Sequence, residues 1–172
     1  MQIKIHDMKN LTEIQQSKIR SALLKGEAVL DSELWASKIR NAQFTEDQAY
    51  SGKQIVGIIR SGVHNGGLAD NIIDVSIEGF YKYNNVVGYT HLGSTWQWIN
   101  RKYLDRYNGS DIFGHVMHET MHRCHLFKHL RVHKTSVPYL VGTLSAKAYR
   151  ELAPSAPAAA FHEYGFKVFS FV

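Results

Sequence analysis

Two histidines and a glutamate lie within five consecutive residues in the second half of the chain. The segment His118-Glu119-Thr120-Met121-His122 has the pattern HExxH. Four residues rise about 6 Å along a helix, roughly one turn, so both imidazoles would project from one side and could bind the same metal ion. A carboxylate beside the first ligand is placed to accept a proton from a metal-bound water. The pattern therefore predicts a zinc site with ligands His118 and His122 and general base Glu119.

An amphipathic surface is the alternative explanation of these histidines. The chain has 10 histidines, and several recur at steps of three or four residues, which is the spacing of one helix face: His115, His118, His122, His125 and His129. Such a stripe would simply be solvated. Because a chance HExxH is expected only about 0.03 times in a chain of this composition, the metal site is the favoured interpretation.

A catalytic zinc needs a third protein ligand and keeps one position for water. His129 lies seven residues after His122, about 10.5 Å along a continuous helix, which is too far for one ion to join. If His129 is the ligand, the metal helix must end near residues 123–126. That stretch contains no glycine to take the left-handed turn that commonly ends a helix, and His125 would adopt it at a cost.

Three further side chains are candidates near the metal. Tyr139 follows Pro138, and its phenol could donate a hydrogen bond to the oxyanion of a tetrahedral intermediate, although an ordinary core tyrosine is an equal alternative. His115, three residues before His118, is expected either to be exposed or to orient a ligand. Cys124 is expected to be a small buried residue.

The elements around these residues follow from hydrophobic periodicity. Residues 2–7 alternate as a short strand, and residues 11–30 show helical spacing. Asp31 and Ser32 then resemble the cap of a second helix. Residues 1–44 are therefore predicted as a helical N-terminal scaffold. The apolar run 55–59 is too short to assign by its period.

A sheet is predicted before the histidines. Residues 73–81 alternate, and turn residues lead into 86–90 and 96–103, which favours three antiparallel strands. Trp96 and Trp98 would face the core from the last of these strands, although an edge strand could instead bind an extended peptide.

Two helices are predicted around and after the histidines. Ser110 or Asp111 would cap a helix through His122, and residues 137–152 form another, with Pro138 in its first turn. We predict an α+β fold in which helices pack on a mixed, largely antiparallel sheet, with residues 70–152 holding the sheet and metal site.

Length and composition set the class of protein. The chain has 172 residues, and we predict one domain over 1–172. With 44% hydrophobic and 20% charged residues it should fold rather than remain disordered. A single cysteine excludes an internal disulfide. Without a membrane-spanning run or a secretory signal pattern, we expect a cytoplasmic protein.

The charge balance bears on partners. Lys and Arg number 20 against 15 Asp and Glu, a formal net charge of +5. This surplus can favour approach to nucleic acid, but it is scattered along the chain. We therefore expect a protein or peptide substrate in preference to nucleic acid.

The histidine segment and its flanks resemble the zincin superfamily of metallopeptidases, and more narrowly small metallopeptidases of phages and bacteria. In these, a strand with a Trp-Ile-Asn-Arg-like element leads into HExxH, a third histidine and a Ser-Val-Pro-Tyr segment. The matching stretches are 86–90, 98–103, 118–122, 126–129 and 136–142. The resemblance covers about residues 75–152 and implies a zincin-like fold with bound Zn²⁺. A phage origin would place the protein in the host cell or the virion.

The resemblance also implies residue roles. His118 and His122 would be ligands, Glu119 the general base and His129 the third ligand. In the metzincin form, HExxHxxGxxH, the glycine falls at His125 and the third histidine at Lys128, so this chain departs from that form. In the gluzincin form a glutamate of a following helix is the ligand.

Glu151 lies at the end of a helix predicted after the histidines. As the third ligand it remains an alternative to His129, together with His125 and His133.

The expected function is zinc-dependent hydrolysis of peptide bonds, with a metal-activated water and no covalent intermediate. Three alternatives stay open from the sequence. They are a metal-dependent nuclease, a peptidoglycan peptidase and a non-catalytic zinc-binding module in which Glu119 is dispensable.

Overall fold

Helices and strands alternate along the chain in the computed structural model. It describes residues 1–44, 50–62, 69–91, 94–124, 127 and 133–152. The elements are β1 (Gln2–Lys9), α1 (Glu13–Asp31), α2 (Glu33–Arg40), α3 (Gly52–Ser61), β2 (Ile72–Phe80), β3 (Gly88–Thr90), β4 (Trp96–Asn100), α4 (Arg101–Leu104), α5 (Gly109–Arg123) and α6 (Val137–Leu152). This is an α+β architecture, as predicted.

The N-terminal elements confirm the strand and two helices expected there. Thr12 caps α1 and accepts a hydrogen bond from the Gln15 backbone N–H, while the Gln15 side chain accepts one from the Thr12 N–H. Ser32 caps α2 through its hydroxyl. The unassigned run 55–59 lies in α3, where Ile55, Val56 and Ile59 are buried on one face.

The sheet has the order β1-β2-β4-β3. β1 pairs with β2 and β2 with β4 in parallel, and β3 with β4 is antiparallel. The predictions of three antiparallel strands and of a largely antiparallel sheet are therefore wrong. The reason is that the chain after β2 passes to the outer position as β3 and returns as β4, which pairs between β2 and β3 and runs parallel to β2.

β4 is shorter than predicted, and the face that it turns toward the core carries Gln97 rather than Trp96 and Trp98. The strand ends at Asn100, whose side chain accepts a hydrogen bond from the Lys102 N–H and caps α4. Gln97 is buried, and its amide donates to Thr120 Oγ1 at 3.1 Å on α5.

Trp96 and Trp98 therefore lie on the opposite face of β4 and are only half-buried. The prediction that they face the core is wrong, because a hydrogen-bond partner on α5 allows the polar Gln97 to occupy the inner face. Trp98 instead stacks on Tyr89 of the neighbouring strand, with ring centroids 5.2 Å apart.

The core lies between the sheet and helices α1, α2, α3, α5 and α6. Its largest fully buried side chains include Trp35, Phe113 and Ile19. Trp35 donates from Nε1 to Ser145 Oγ at 2.9 Å, which joins α2 to α6 and satisfies the indole N–H. No helix in the described ranges is long and apolar enough to cross a membrane.

Candidate metal centre

Helix α5 carries the HExxH segment and begins at a reciprocal cap. The Asn108 side chain accepts a hydrogen bond from the Asp111 N–H at 3.0 Å, and the Asp111 carboxylate accepts one from the Asn108 N–H at 3.2 Å. The helix was predicted, but its cap is Asn108 rather than Ser110 or Asp111. Asp111 instead serves as the third helical residue of the capping box.

α5 ends at Arg123, one residue after His122. Cys124 follows with extended backbone angles, φ −72° and ψ 114°, and its N–H still donates to the Thr120 carbonyl. The helix thus ends within the range that the sequence requires if His129 is a ligand. Because Cys124 leaves the helix through the extended region, this residue needs no left-handed conformation. Cys124 is also buried, as predicted.

Three side chains of α5 form a buried cluster. One ligand atom from each of His118, Glu119 and His122 lies within 4.8 Å of the others. The rings of His118 and His122 meet edge to face, with centroids 5.2 Å apart. The four-residue spacing thus brings both imidazoles to one place, as the sequence predicted.

His122 has a defined orientation. Its Nδ1 donates a hydrogen bond to the Phe127 carbonyl oxygen at 2.6 Å. Since a carbonyl only accepts, Nδ1 carries the proton and the lone pair of the neutral ring is on Nε2. Burial lowers the pKa of His122, while the hydrogen bond to Phe127 opposes that shift. A neutral imidazole with a fixed tautomer is the form that binds a metal.

Glu119 is the most unusual member of the cluster. Its carboxyl group is fully buried, and neither oxygen has a hydrogen-bond partner within the described part of the chain. Oε1 lies 4.0 Å from His118 Nε2. Burial raises the pKa of Glu119 to about 8. A carboxylate in this place needs a positive charge or a bound water beside it.

His115 lies one helical turn before Glu119 on α5. It is only 3% exposed, so the alternative that it is exposed is wrong, and its Nδ1 lies 3.9 Å from Glu119 Oε1. The ring packs on β3, where a Cβ added to Gly88 would lie 2.3 Å from His115 Nε2. Burial lowers the pKa of His115 to about 4. The ring is therefore neutral near pH 7 and occupies space that a larger residue at Gly88 would need.

Tyr139 reaches the cluster from α6. The residue is buried, and its ring meets the His118 ring at 90° with centroids 4.8 Å apart. Helices α5 and α6 approach closely here, because a Cβ on Gly142 would lie 2.7 Å from the Gly114 carbonyl oxygen and 2.9 Å from His118 Cβ. The structure thus places Tyr139 against the first predicted ligand.

The candidates for a third ligand are distributed differently. His125 and His129 lie outside the described residues, and His133 begins a short 3-10 turn before α6. Glu151 is nine residues beyond Gly142 on α6, about 13.5 Å along the axis. Its carboxylate pairs with Lys38 Nζ at 2.9 Å, so it does not belong to the cluster.

The cluster fits a divalent metal by its donor chemistry. Two imidazoles one helical turn apart are ligands that zinc prefers, and His122 presents the appropriate tautomer. The buried Glu119 carboxyl supplies the anionic group beside them. In comparisons with protein-family models, with curated proteins and with solved structures, no significant match to this chain was found.

Proposed function

We propose that this chain is a zinc-dependent peptidase in which His118 and His122 bind the metal and Glu119 is the general base. The observation that carries the proposal is the state of Glu119. It is a fully buried carboxyl group without a hydrogen-bond partner in the described residues, next to two buried imidazoles. A purely structural site would leave this group uncompensated.

The residues of the chain divide the proposed reaction between them. Bound zinc would polarise the scissile carbonyl and make a water molecule more acidic. Glu119 takes the proton from the attacking water and passes it to the departing amine. The position of Glu119 beside both imidazoles suits this exchange, because one carboxyl group can accept the proton and then release it to the amine.

His129 is proposed as the third ligand, and Tyr139 as a donor to the developing oxyanion. The end of α5 at Arg123 supports the first role, because a chain that leaves the helix immediately after His122 can return to the ion. The contact of Tyr139 with His118 supports the second role. Neither role requires a covalent intermediate.

The proposal is tested by hydrolysis of an unbiased peptide mixture by zinc-loaded protein. Glu119→Gln keeps the size of the side chain and leaves both imidazoles in place, but it removes the proton acceptor. We expect the rate of peptide-bond cleavage to fall at least ~10²-fold with zinc content unchanged. Lys38→Gln, at the ion pair near the end of α6, is a control that should leave the rate unchanged.

Unchanged cleavage by the Glu119→Gln variant would contradict the proposal. Zinc-loaded wild-type protein that cleaves no peptide in the mixture would favour a non-catalytic zinc-binding module instead.

A further inference from the structure

A second group of side chains that could bind a ligand lies away from the cluster of His118, Glu119 and His122. It is formed by the loop 81–85 after β2 and by residues 101–107, which comprise α4 and the turn after it. Tyr103 Oη donates to the Asn84 carbonyl at 2.9 Å, and the Asn100 amide donates to the Lys82 carbonyl at 2.9 Å. These bonds hold the two segments together as one surface.

We call this the tyrosine–cation surface and define it by Tyr81, Lys82, Tyr83, Arg101, Lys102 and Arg106. It is separate from the metal cluster along α5. Residues 101–107 precede the first turn of that helix, whereas His118 lies nine residues, about 13.5 Å, beyond Gly109. An activity of this surface would therefore go beyond the proposed peptidase function.

The two tyrosines expose their rings to solvent. Tyr83 is 85% exposed and Tyr81 is 49% exposed, and their rings meet edge to face with centroids 5.2 Å apart. Among the described residues, Tyr83 is the most exposed of the large hydrophobic side chains. Ring faces in this state can stack on another planar group at little cost in rearrangement.

Lys82 and Arg106 of this surface are exposed, whereas Arg101 and Lys102 are half-buried and Arg101 Nε is enclosed. No ion pair involves Lys82, Arg101, Lys102 or Arg106 within the part of the chain that the structure describes. Elsewhere Lys38, Arg40 and Arg150 each have a carboxylate partner.

The two segments contain one carboxylate, Asp105, against four cations. It is exposed and accepts a hydrogen bond from Gln15 Nε2 at 2.7 Å, so it offsets one of the four positive charges. The surface is therefore locally positive, although the basic residues are scattered in the sequence.

We propose that the tyrosine–cation surface binds single-stranded nucleic acid. Unpaired cations beside exposed aromatic rings match a chain that alternates phosphates with unstacked bases. Stacking on aromatic rings holds bases without requiring a particular sequence, and cations hold the phosphates. Paired bases in a duplex would not offer their faces to Tyr81 and Tyr83.

A membrane surface fits these residues less well. The loop 81–85 reads Tyr-Lys-Tyr-Asn-Asn and contains no aliphatic side chain. Peripheral membrane segments bury Trp, Phe or Leu into the boundary of the acyl chains. The exposed amide of Asn85 instead suits the hydrogen-bonding edges of bases.

The test is fluorescence anisotropy of a labelled 20-nucleotide oligo-dT with the full chain at several salt concentrations. Tyr83→Ser should weaken binding by about fivefold or more, the effect of losing one stacked base, while Tyr83→Phe should bind as wild type does. Because Tyr83 is 85% exposed, both variants should keep the wild-type thermal midpoint.

Cation variants test the charge requirement separately. Lys82→Ala combined with Lys102→Ala should reduce the slope of log affinity against log salt by about 0.7 for each phosphate that the variant no longer neutralises. The matched control is Lys25→Ala combined with Lys53→Ala, which removes the same charge from exposed positions on α1 and α3. The control should keep the wild-type slope.

Three results would overturn the proposal. The first is no binding of oligo-dT at 50 mM salt. The second is binding that poly-glutamate or a duplex of the same length competes for equally well, since charge alone would then explain it. The third is binding to anionic phosphatidylserine vesicles but not to oligo-dT, which would indicate a membrane surface.

Discussion

Glu119 is held in a place that opposes its ionisation. Its pKa rises from an ordinary value of 4.5 to about 8 because the carboxyl group is buried. When the pKa of an acid is higher in the folded state than in the unfolded state, the folded state is favoured most at a pH where the acid is protonated in both. Metal-free protein should therefore lose stability as pH rises from about 4.5 to about 8, and the loss should be complete above that range.

Glu119→Gln gives the matched comparison. The amide does not ionise, so in chelator-treated protein the variant should become more stable than wild type as pH rises. The maximum slope of the difference is about 1.4 kcal/mol per pH unit. Burial lowers the pKa of His115 to about 4, so its ring is neutral in the folded protein over this pH range, and its titration in the unfolded chain is common to both proteins. Urea unfolding between pH 5 and pH 9 measures the difference, and stability curves that stay parallel would show that Glu119 is not buried as a carboxyl group.

Helices α5 and α6 hold the cluster through a glycine contact. Gly114 and Gly142 let the two backbones approach, and a Cβ on Gly142 would lie 2.9 Å from His118 Cβ. We expect Gly142→Ala to destabilise the protein by about 1–3 kcal/mol, since the helices must separate. It should also weaken zinc binding, because His118 and Tyr139 lie at this contact.

Gly57→Ala is the control for this prediction. Gly57 is an exposed residue of α3, and an added Cβ would contact nothing within 4 Å. Alanine favours a helix more than glycine, so this variant should be up to about 1 kcal/mol more stable than wild type. Thermal and urea unfolding of both variants would test the pair. Equal effects would contradict a specific contact between α5 and α6.

The elements differ in how far local sequence determines them. The N-terminal strand, both N-terminal helices and the last two helices were predicted, because capping residues and periodicity are local signals. The sheet order was not, since pairing of β4 beside β2 depends on contacts between residues distant in sequence. Trp96 and Trp98 were assigned to the wrong face because hydrophobicity alone does not reveal the Thr120 partner of Gln97.

The site shows the same division. The pairing of His118 with His122 follows from helix geometry, so the sequence predicted it. The burial of His115 depends on Gly88 of β3, which only the fold brings near. In the sequence, only the spacing of three residues between His115 and His118 suggested that His115 lies near the cluster. That spacing is equally compatible with an exposed side chain.

The proposed metal site needs a third ligand from outside α5, so its completion depends on the fold of the whole molecule. His129 stays the predicted third ligand. Glu151, near the end of α6, instead pairs with Lys38 of α2. His129→Ala should lower zinc affinity by about two orders of magnitude or more, while Glu151→Ala should leave it near wild type. Competition with a chromophoric chelator measures both variants. A large loss in Glu151→Ala with none in His129→Ala would favour the gluzincin arrangement.

The central claim is that His118 and His122 bind one zinc ion. Elemental analysis of protein purified without a polyhistidine tag and equilibrated with zinc tests it most directly. Wild-type protein and the Glu119→Gln variant should contain about one zinc per chain, and His118→Ala and His122→Ala should each lose most of it. Wild-type protein without zinc, or zinc retained in both histidine variants, would contradict the claim.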